Sequence, residues 1–271
     1  MNRRWFGLLA FGTALSLAAA TLAQSVTVPA RIKTAGEIVF CTEVGYPPFE
    51  FFPEGSKDPA GFDIDLGNEV ARRLGVKPRW ENVGFDGIIA SLLSKKCDGI
   101  IAGLGATDKR REQVNFVLYL QNNRAIVVRK GNPKGVKGYD ALCGLTVGAQ
   151  IGSANYDDMQ RLVDRCNTQN RAQMILRSFK DNAALKLSLL TNQIDAYNTA
   201  AANAAVDIKE NPDQLEIGAI SPTVNMLGIA LRKEDIALRA AVETIVRQLH
   251  RDGTMDRLLR EWSLAPFRLR M

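Results

Sequence analysis

Residues 61–74 read GFDIDLGNEVARRL, and this stretch decides the fold class. Its apolar residues recur every three or four positions, which predicts one buried face on a helix that begins near Asp63 and ends before Gly75. Two acidic residues, Asp63 and Asp65, stand in the first turn, where the helix dipole favours negative charge. We therefore predict that both carboxylates serve the helix start rather than a ligand.

Helical and extended patterns alternate along the rest of the chain, which predicts a parallel α/β sheet. The predicted strands are 38–41, 77–83, 98–104, 123–129, 145–149, 174–176, 195–198 and 226–231. The predicted helices are 63–74, 86–95, 154–165, 182–190, 200–208, 235–251 and 254–262. A polar, turn-rich connector at 130–135 divides the pattern into two α/β units of similar size.

The composition excludes several classes of protein. The chain has 271 residues, of which 46% are hydrophobic and 24% charged, as in ordinary globular proteins and unlike disordered or coiled-coil chains. The formal net charge of +6 comes without a dense block of lysine and arginine, so the charge does not imply a nucleic-acid partner.

The first 23 residues have the pattern of a signal peptide. Arg3 and Arg4 form a positive start, and an apolar run follows from Trp5 to Ala20, shorter than a membrane-spanning helix. Small residues before Gln24 predict cleavage after Ala23, with cleavage after Ala20 as the alternative. We expect an exported protein, which in a cell with two membranes is periplasmic.

Further motifs resemble those of the extracellular solute-binding protein family 3, the polar-amino-acid receptors of ABC importers. Besides 61–74, the matching stretches are YPPFE (46–50), FDGIIASL (85–92), TDKRR (107–111) and DGTMD (252–256). The resemblance implies a two-lobed type II periplasmic binding protein fold, with two hinge strands and a ligand cleft between the lobes. Lobe 1 is expected to comprise residues 24–129 and 226–271, and lobe 2 residues 130–225.

The resemblance also implies a function. We expect a monomeric receptor that binds a small solute with a carboxylate, an amino acid by default, and delivers it to an ABC transporter permease. A receptor for an organic acid without an amino group is the alternative. A periplasmic dehydratase on the same fold is a third possibility, but it needs an acidic proton donor in the cleft.

Arg110 is the strongest candidate for binding the ligand. It follows a predicted strand, the glycine turn of Gly103 and Gly105, and a helix start at Thr107. Ligands bind outside the carboxyl ends of strands in open α/β sheets, and a guanidinium holds a carboxylate with two parallel hydrogen bonds. Both the position and the resemblance therefore assign the ligand carboxylate to Arg110.

The remaining candidate residues rest on the resemblance. Tyr46 and Phe85 would sandwich the aliphatic part of the ligand, and Glu43 would bind its side chain. In lobe 2, the resemblance assigns to one loop the hydrogen-bond donors that bind the ligand carboxylate. Asn198 is the last of the candidate ligand-binding residues. That loop consists of Gly152, Ser153, Ala154 and Asn155.

Two positions depart from the family pattern. Gly105 stands where relatives usually have a hydroxyl residue, and Ala200 stands where they usually have an aspartate. Those two groups hold the ammonium of an amino acid, which is costly to bury without an anionic partner. Either Glu43 replaces them, or the ligand carries no ammonium.

The four cysteines lie at 41, 97, 143 and 166. Cys143 precedes a strand and Cys166 ends the helix that returns beside it, so we predict a disulfide between them. On parallel strands, Cys41 and Cys97 would lie ~13 Å apart along the strand direction. This distance favours buried thiols, although other pairings remain open.

The sequence contains no metal-binding cluster, phosphate loop or serine nucleophile elbow, so we predict no cofactor and no metal. His250, the one histidine, lies near the end of a predicted helix, where a structural role is favoured over catalysis. Glu43 is the one acidic residue that we place in the cleft, so we expect a receptor rather than an enzyme.

We expect the mature protein to begin near Gln24, because export would remove the segment before it. N-terminal sequencing of the exported protein measures this directly. An intact Met1 on a membrane-bound form would contradict the prediction.

Overall fold

Two long antiparallel strands form the centre of the structure, a computed structural model that describes residues 26–269. The predicted signal peptide, residues 1–23, lies outside the described residues. The strands are β1 Glu37–Thr42, β2 Lys77–Asn82, β3 Gly99–Ile100, β4 Val114–Arg129, β5 Thr146–Gln150, β6 Ile175–Phe179, β7 Ala196–Ala200 and β8 Leu215–Arg232. Within residues 26–269 the helices are α1 Ala30–Ala35, α2 Phe62–Leu74, α3 Ile88–Leu93, α4 Asp108–Arg111, α5 Ala154–Thr168, α6 Asn182–Leu190, α7 Ala201–Glu210, α8 Ile236–Arg251 and α9 Thr254–Glu261.

The strand order is β2-β1-β3-β8-β4-β7-β5-β6, with parallel pairs at both ends and antiparallel pairs in the centre. One end of the β4–β8 ladder continues into β3, β1 and β2, and the other end continues into β7, β5 and β6. The structure therefore has the two-lobed α/β architecture that the sequence predicted.

The crossing between the lobes occurs inside β4 and β8 rather than at their ends. Val114 in β4 pairs with Arg232 in the first lobe, whereas Ala125 pairs with both Ile220 and Thr199 in the second. β4 thus reaches β7 before the predicted lobe boundary after Arg129. Both strands are longer than predicted: β4 begins at Val114 rather than at residue 123, and β8 begins at Leu215 rather than at residue 226.

The stretch at 61–74 forms α2 as predicted, but its acidic residues have other partners. Gly61 is the residue at the helix start, where a Cβ would lie 2.1 Å from the Phe49 carbonyl oxygen, so only glycine fits. Asp65 accepts a hydrogen bond from the Trp262 indole at 2.8 Å. Asp63 is buried beneath the cleft and is described with the site.

The core of lobe 1 forms where α2 packs against α8. Leu66 and Val70 share one apolar cluster with Val242, Ile245 and Leu249, which agrees with the predicted apolar stripe of α8. Burying such side chains stabilises the fold by ~1.5–3 kcal/mol each. Among residues 26–269, no helix has the length and apolar character needed to cross a membrane.

Both pairs of cysteines form disulfides. The predicted bridge between Cys143 and Cys166 is confirmed. The prediction that Cys41 and Cys97 remain thiols is wrong, since they are bridged with their Cα atoms 5.6 Å apart.

Cys97 lies closer to Cys41 than predicted because it does not extend a strand. β3 begins only at Gly99, and Asp98 forms a bend whose N–H donates to the Val39 carbonyl at 2.7 Å. The bend returns Cys97 over β1, where it shares an apolar cluster with Cys41 and Leu92.

Removing either disulfide should lower the free energy of unfolding through the loop that it closes. The sequence separations are 23 residues for Cys143–Cys166 and 56 for Cys41–Cys97. Loop entropy then gives about 3 and about 4 kcal/mol. Urea denaturation of the two paired alanine variants measures the losses, and peptide mapping without reductant checks the pairing. Free thiols at either pair would contradict it.

Candidate ligand-binding site

A partly open cavity lies between the lobes, where β4 and β8 cross. Eight of the predicted residues line it, namely Tyr46, Phe85, Gly103, Gly105, Arg110, Ser153, Ala154 and Asn155. Glu43, Gly152 and Asn198 lie beside it, outside the lining.

Arg110 presents a nearly buried guanidinium to this cavity. Thr107 begins α4 and its side chain accepts from the Arg110 N–H, which orients the residue towards the cleft. Its guanidinium donates to the Gly105 carbonyl at 2.8 Å and to the Gly152 carbonyl at 2.9 Å, and stacks 5.5 Å above the Phe85 ring. Two of its five N–H groups are thus occupied, and within residues 26–269 no carboxylate lies within 4.0 Å of it.

Burial lowers the pKa of Arg110 to about 10, an effect that Asp157 opposes and the positive Arg124 increases. The group nevertheless stays protonated at neutral pH. A buried cation without an anionic partner is costly, so the cavity is prepared for a negative ligand group.

The loop before α5 supplies donors from lobe 2. Ser153 begins the helix: its hydroxyl accepts from the Tyr156 N–H at 3.1 Å and donates to the Gln150 carbonyl at 2.6 Å. The hydroxyl hydrogen is thus used by Gln150 in this structure, and its predicted donation to a ligand stays a prediction. The N–H groups of Ala154 and Asn155 belong to the first turn, where no helical acceptor exists.

Gly152 and Asn198 support this loop from outside the cavity. Gly152 has φ +74° and lies so close to Asp86 of lobe 1 that a Cβ would be 2.8 Å from the Asp86 Cα. Asn198 is buried and donates to the Asn155 carbonyl at 3.2 Å. Both residues contact the protein beside the cavity, and their predicted contacts with a ligand stay predictions.

Tyr46 closes one side of the cavity and joins the lobes. Its ring stacks on Phe49 with centroids 5.5 Å apart. Its hydroxyl lies 3.2 Å from Thr199 Oγ1 and accepts from the Ala200 N–H at 3.1 Å. Asn203 adds a hydrogen bond to the Pro47 carbonyl at 2.8 Å.

Asp63 holds the Gly103 turn from below. Its Oδ2 accepts from the Gly103 N–H at 2.6 Å and from the Tyr119 hydroxyl at 2.8 Å. Burial raises the pKa of Asp63 to about 7, and burial beside Asp63 raises the pKa of the neighbouring Glu50 well above its ordinary value. The predicted structural role of Asp63 thus extends to the cavity wall.

Glu43 stands one side chain away from the cavity. Its Oε2 accepts from Gln150 Nε2 at 3.0 Å, and Gln150 rather than Glu43 lines the cavity. Ala200 also lines it without a charge, so among the described residues no carboxylate belongs to the lining. The structure gives an ammonium no anionic partner at either predicted place.

The crossing strands supply cavity residues that the sequence did not predict. Asn122, Asn123 and Arg124 of β4 line the cavity, as do Gln150 and Asn225. The available signal was a run of polar residues at 121–124 inside an otherwise apolar strand. Among residues 26–269, no group of three or more His, Cys, Asp or Glu residues is placed to hold a metal ion.

Known proteins resemble this chain over most of its length. Residues 38–265 match the profile of the bacterial extracellular solute-binding proteins, family 3. The L-cystine-binding protein TcyJ of Escherichia coli strain K12 is 29% identical over 233 residues, which cover 86% of this chain and 84% of that protein. The lysine/arginine/ornithine-binding periplasmic protein of the same strain is 32% identical over 230 residues, 82% of this chain and 85% of that protein.

A solved structure agrees with these sequence matches. The crystal structure of the P235GK mutant of ArgBP from T. maritima has a TM-score of 0.79 and 34% identity, and the match covers 86% of this chain and 97% of that one. These relatives are binding proteins rather than enzymes.

Glu43→Gln should weaken the dependence of stability on pH. Burial raises the pKa of Glu43 from 4.5 to about 7, so between these values the folded protein holds a proton that the unfolded chain releases. Wild-type stability therefore falls as pH rises through this window, by at most about 3 kcal/mol, and the variant lacks this loss.

Denaturation at about pH 5 and about pH 8 measures the difference. Glu54→Gln, the same change at an exposed position, is the control. Parallel stability curves for Glu43→Gln and wild type would contradict the prediction.

Proposed function

Because the chain belongs to the bacterial extracellular solute-binding proteins of family 3, we propose that it captures a small carboxylate-bearing solute for an ABC importer. The solute is an amino acid by default, because the relatives are named as amino-acid-binding proteins. One is named for cystine, one for arginine, and one for lysine, arginine and ornithine together. The protein acts in the periplasm as a monomer after loss of residues 1–23, and hands the solute to the permease.

The observation that carries this proposal is the buried guanidinium of Arg110. Three of its five N–H groups remain for a ligand after the bonds to Gly105 and Gly152. The first N–H groups of α5 face the same cavity from the other lobe. A carboxylate between them satisfies the cation and the helix start together.

Contacts between the lobes support a coupling of ligand binding to closure. Arg110 reaches the Gly152 carbonyl of lobe 2, and Tyr46 accepts from the Ala200 N–H. We infer that lobe 1 (24–129 and 226–271) and lobe 2 (130–225) close about the crossing strands when the ligand binds. A permease can then distinguish the closed receptor from the open one.

A receptor for an organic acid without an amino group is the second candidate. The lining of the cavity lacks a carboxylate among the described residues, and Gly105 and Ala200 offer no side-chain partner to an ammonium. A dehydratase has less support, because Glu43, the one acidic candidate, does not line the cavity.

Arg110→Lys should weaken ligand binding by about a hundredfold, since an ammonium cannot reproduce the forked contact of a guanidinium. A thermal-shift screen over amino acids and small organic acids identifies a ligand, and calorimetry then measures its affinity in each variant.

Arg111→Lys is the matched control, because Arg111 is exposed on the same helix and contacts the Ala106 carbonyl rather than the cavity. Wild-type affinity in Arg110→Lys, or an equal loss in both variants, would refute the proposed carboxylate site.

A further inference from the structure

The crossing strand β4 brings an unpartnered amide into the cavity. Asn122 is 2% exposed and lines the cavity, and neither its Nδ2 nor its Oδ1 has a hydrogen-bond partner among residues 26–269. A buried donor without an acceptor costs ~1–3 kcal/mol. A ligand that supplies an acceptor to Nδ2 removes this cost.

A second guanidinium lies two residues further along the same strand. Arg124 is 9% exposed and lines the same cavity. Among the described residues its one ion-pair partner is Asp158 of α5, and Asp158 also pairs with the exposed Arg161. One carboxylate is thus shared by two guanidinium groups, and the cluster keeps an excess positive charge.

The two cationic groups belong to different regions of the cavity. Arg110 comes from α4 of lobe 1, whereas Arg124 comes from the part of β4 that pairs with β7 of lobe 2. Their charges repel across the cavity, and the positive charge of Arg124 contributes to lowering the pKa of Arg110. An anion with two charged ends satisfies both groups.

We propose that the ligand is a small dicarboxylate, with one carboxylate on Arg110 and the second on Arg124 and the Nδ2 of Asn122. This assignment rests on the proposed receptor function and specifies its ligand class. The Oδ1 of Asn122 is an acceptor for an amino or hydroxyl group, so the class includes acidic amino acids and simple dicarboxylic acids.

The same lining disfavours cationic ligands. Lysine or arginine would place a second positive charge near Arg124, and the described lining has no carboxylate to receive it. Asp158 cannot serve, because it is already held by Arg124 and Arg161. Burying an unpaired cation costs more than the remaining contacts return.

Calorimetry with four probes tests the proposal: L-glutamate, glutarate, L-glutamine and L-lysine. We expect wild type to bind L-glutamate or glutarate at least ~tenfold tighter than L-glutamine, and L-lysine not to bind. In Arg124→Gln the preference for the dicarboxylate over L-glutamine should disappear. Arg161→Gln, which changes the exposed partner of Asp158, should keep the wild-type preference.

Asn122→Asp is the second variant, and it keeps the size of the side chain. A negative charge there should lower the affinity for the dicarboxylate by at least ~tenfold and lower the affinity for L-glutamine less. This variant keeps the test valid if Arg124→Gln does not fold, which circular dichroism of both variants checks.

The outcomes separate this proposal from the proposed receptor function. Binding of L-lysine above the two dicarboxylates, failure of both dicarboxylates to bind, or an unchanged preference in both variants overturns the dicarboxylate assignment. Any of these results, together with an Arg110-dependent ligand from the wider screen, leaves the receptor function standing. If no amino acid or organic acid of the wider screen binds, the receptor function itself is overturned.

Discussion

The antiparallel pairing of β4 with β8 is the constraint on which the rest of the structure depends. The two strands run through both lobes: β3 pairs with β8, β7 pairs with β4, and the remaining strands of the described sheet follow outward from these two pairs. The ladder has register shifts between Leu118 and Leu120 and between Asn123 and Ala125. These irregularities lie where the strands cross from one lobe to the other, and irregular pairing re-aims side chains. Asn122 lies between the two shifts, opposite Asn225, and lines the cavity with an amide that has no hydrogen-bond partner among residues 26–269.

Charge is distributed unequally between the cavity and its surroundings. The lining carries the guanidinium groups of Arg110 and Arg124, while the buried carboxyls Glu50 and Asp63 lie beneath it. Burial raises the pKa of Asp63 to about 7, and burial beside Asp63 raises the pKa of Glu50 well above its ordinary value. Both shifts favour the protonated forms, so they reduce the negative charge that lies beneath the cavity. The positive character of the cavity thus depends on both the arginines and the burial of nearby acids.

The helices were predicted from local periodicity and the two lobes from the family resemblance, and the glycine turn before Arg110 led us to expect its side chain at the cavity that it lines. The sequence missed Arg124 because the polar run at 121–124 does not show which elements the long antiparallel ladder brings beside it. It also misjudged Cys97, since the bend at Asp98 is stabilised by Val39 from a distant strand. Ser153 was correctly placed at the cavity, but its hydroxyl is bound to Gln150. Local patterns identify which residues reach a site, whereas tertiary contacts decide which of their atoms remain for a ligand.

The helix that decides the fold also shapes the binding site. Asp63 belongs to the first turn of α2, yet its carboxylate binds the Gly103 N–H at 2.6 Å instead of capping its own helix. Gly103 has φ +53°, a conformation that glycine adopts readily, and a Cβ there would lie 3.2 Å from the Tyr46 ring. The hydrogen bond therefore fixes the turn against the aromatic wall of the cavity. An acidic residue at this position of the motif is explained by the geometry of the cleft at least as much as by helix formation.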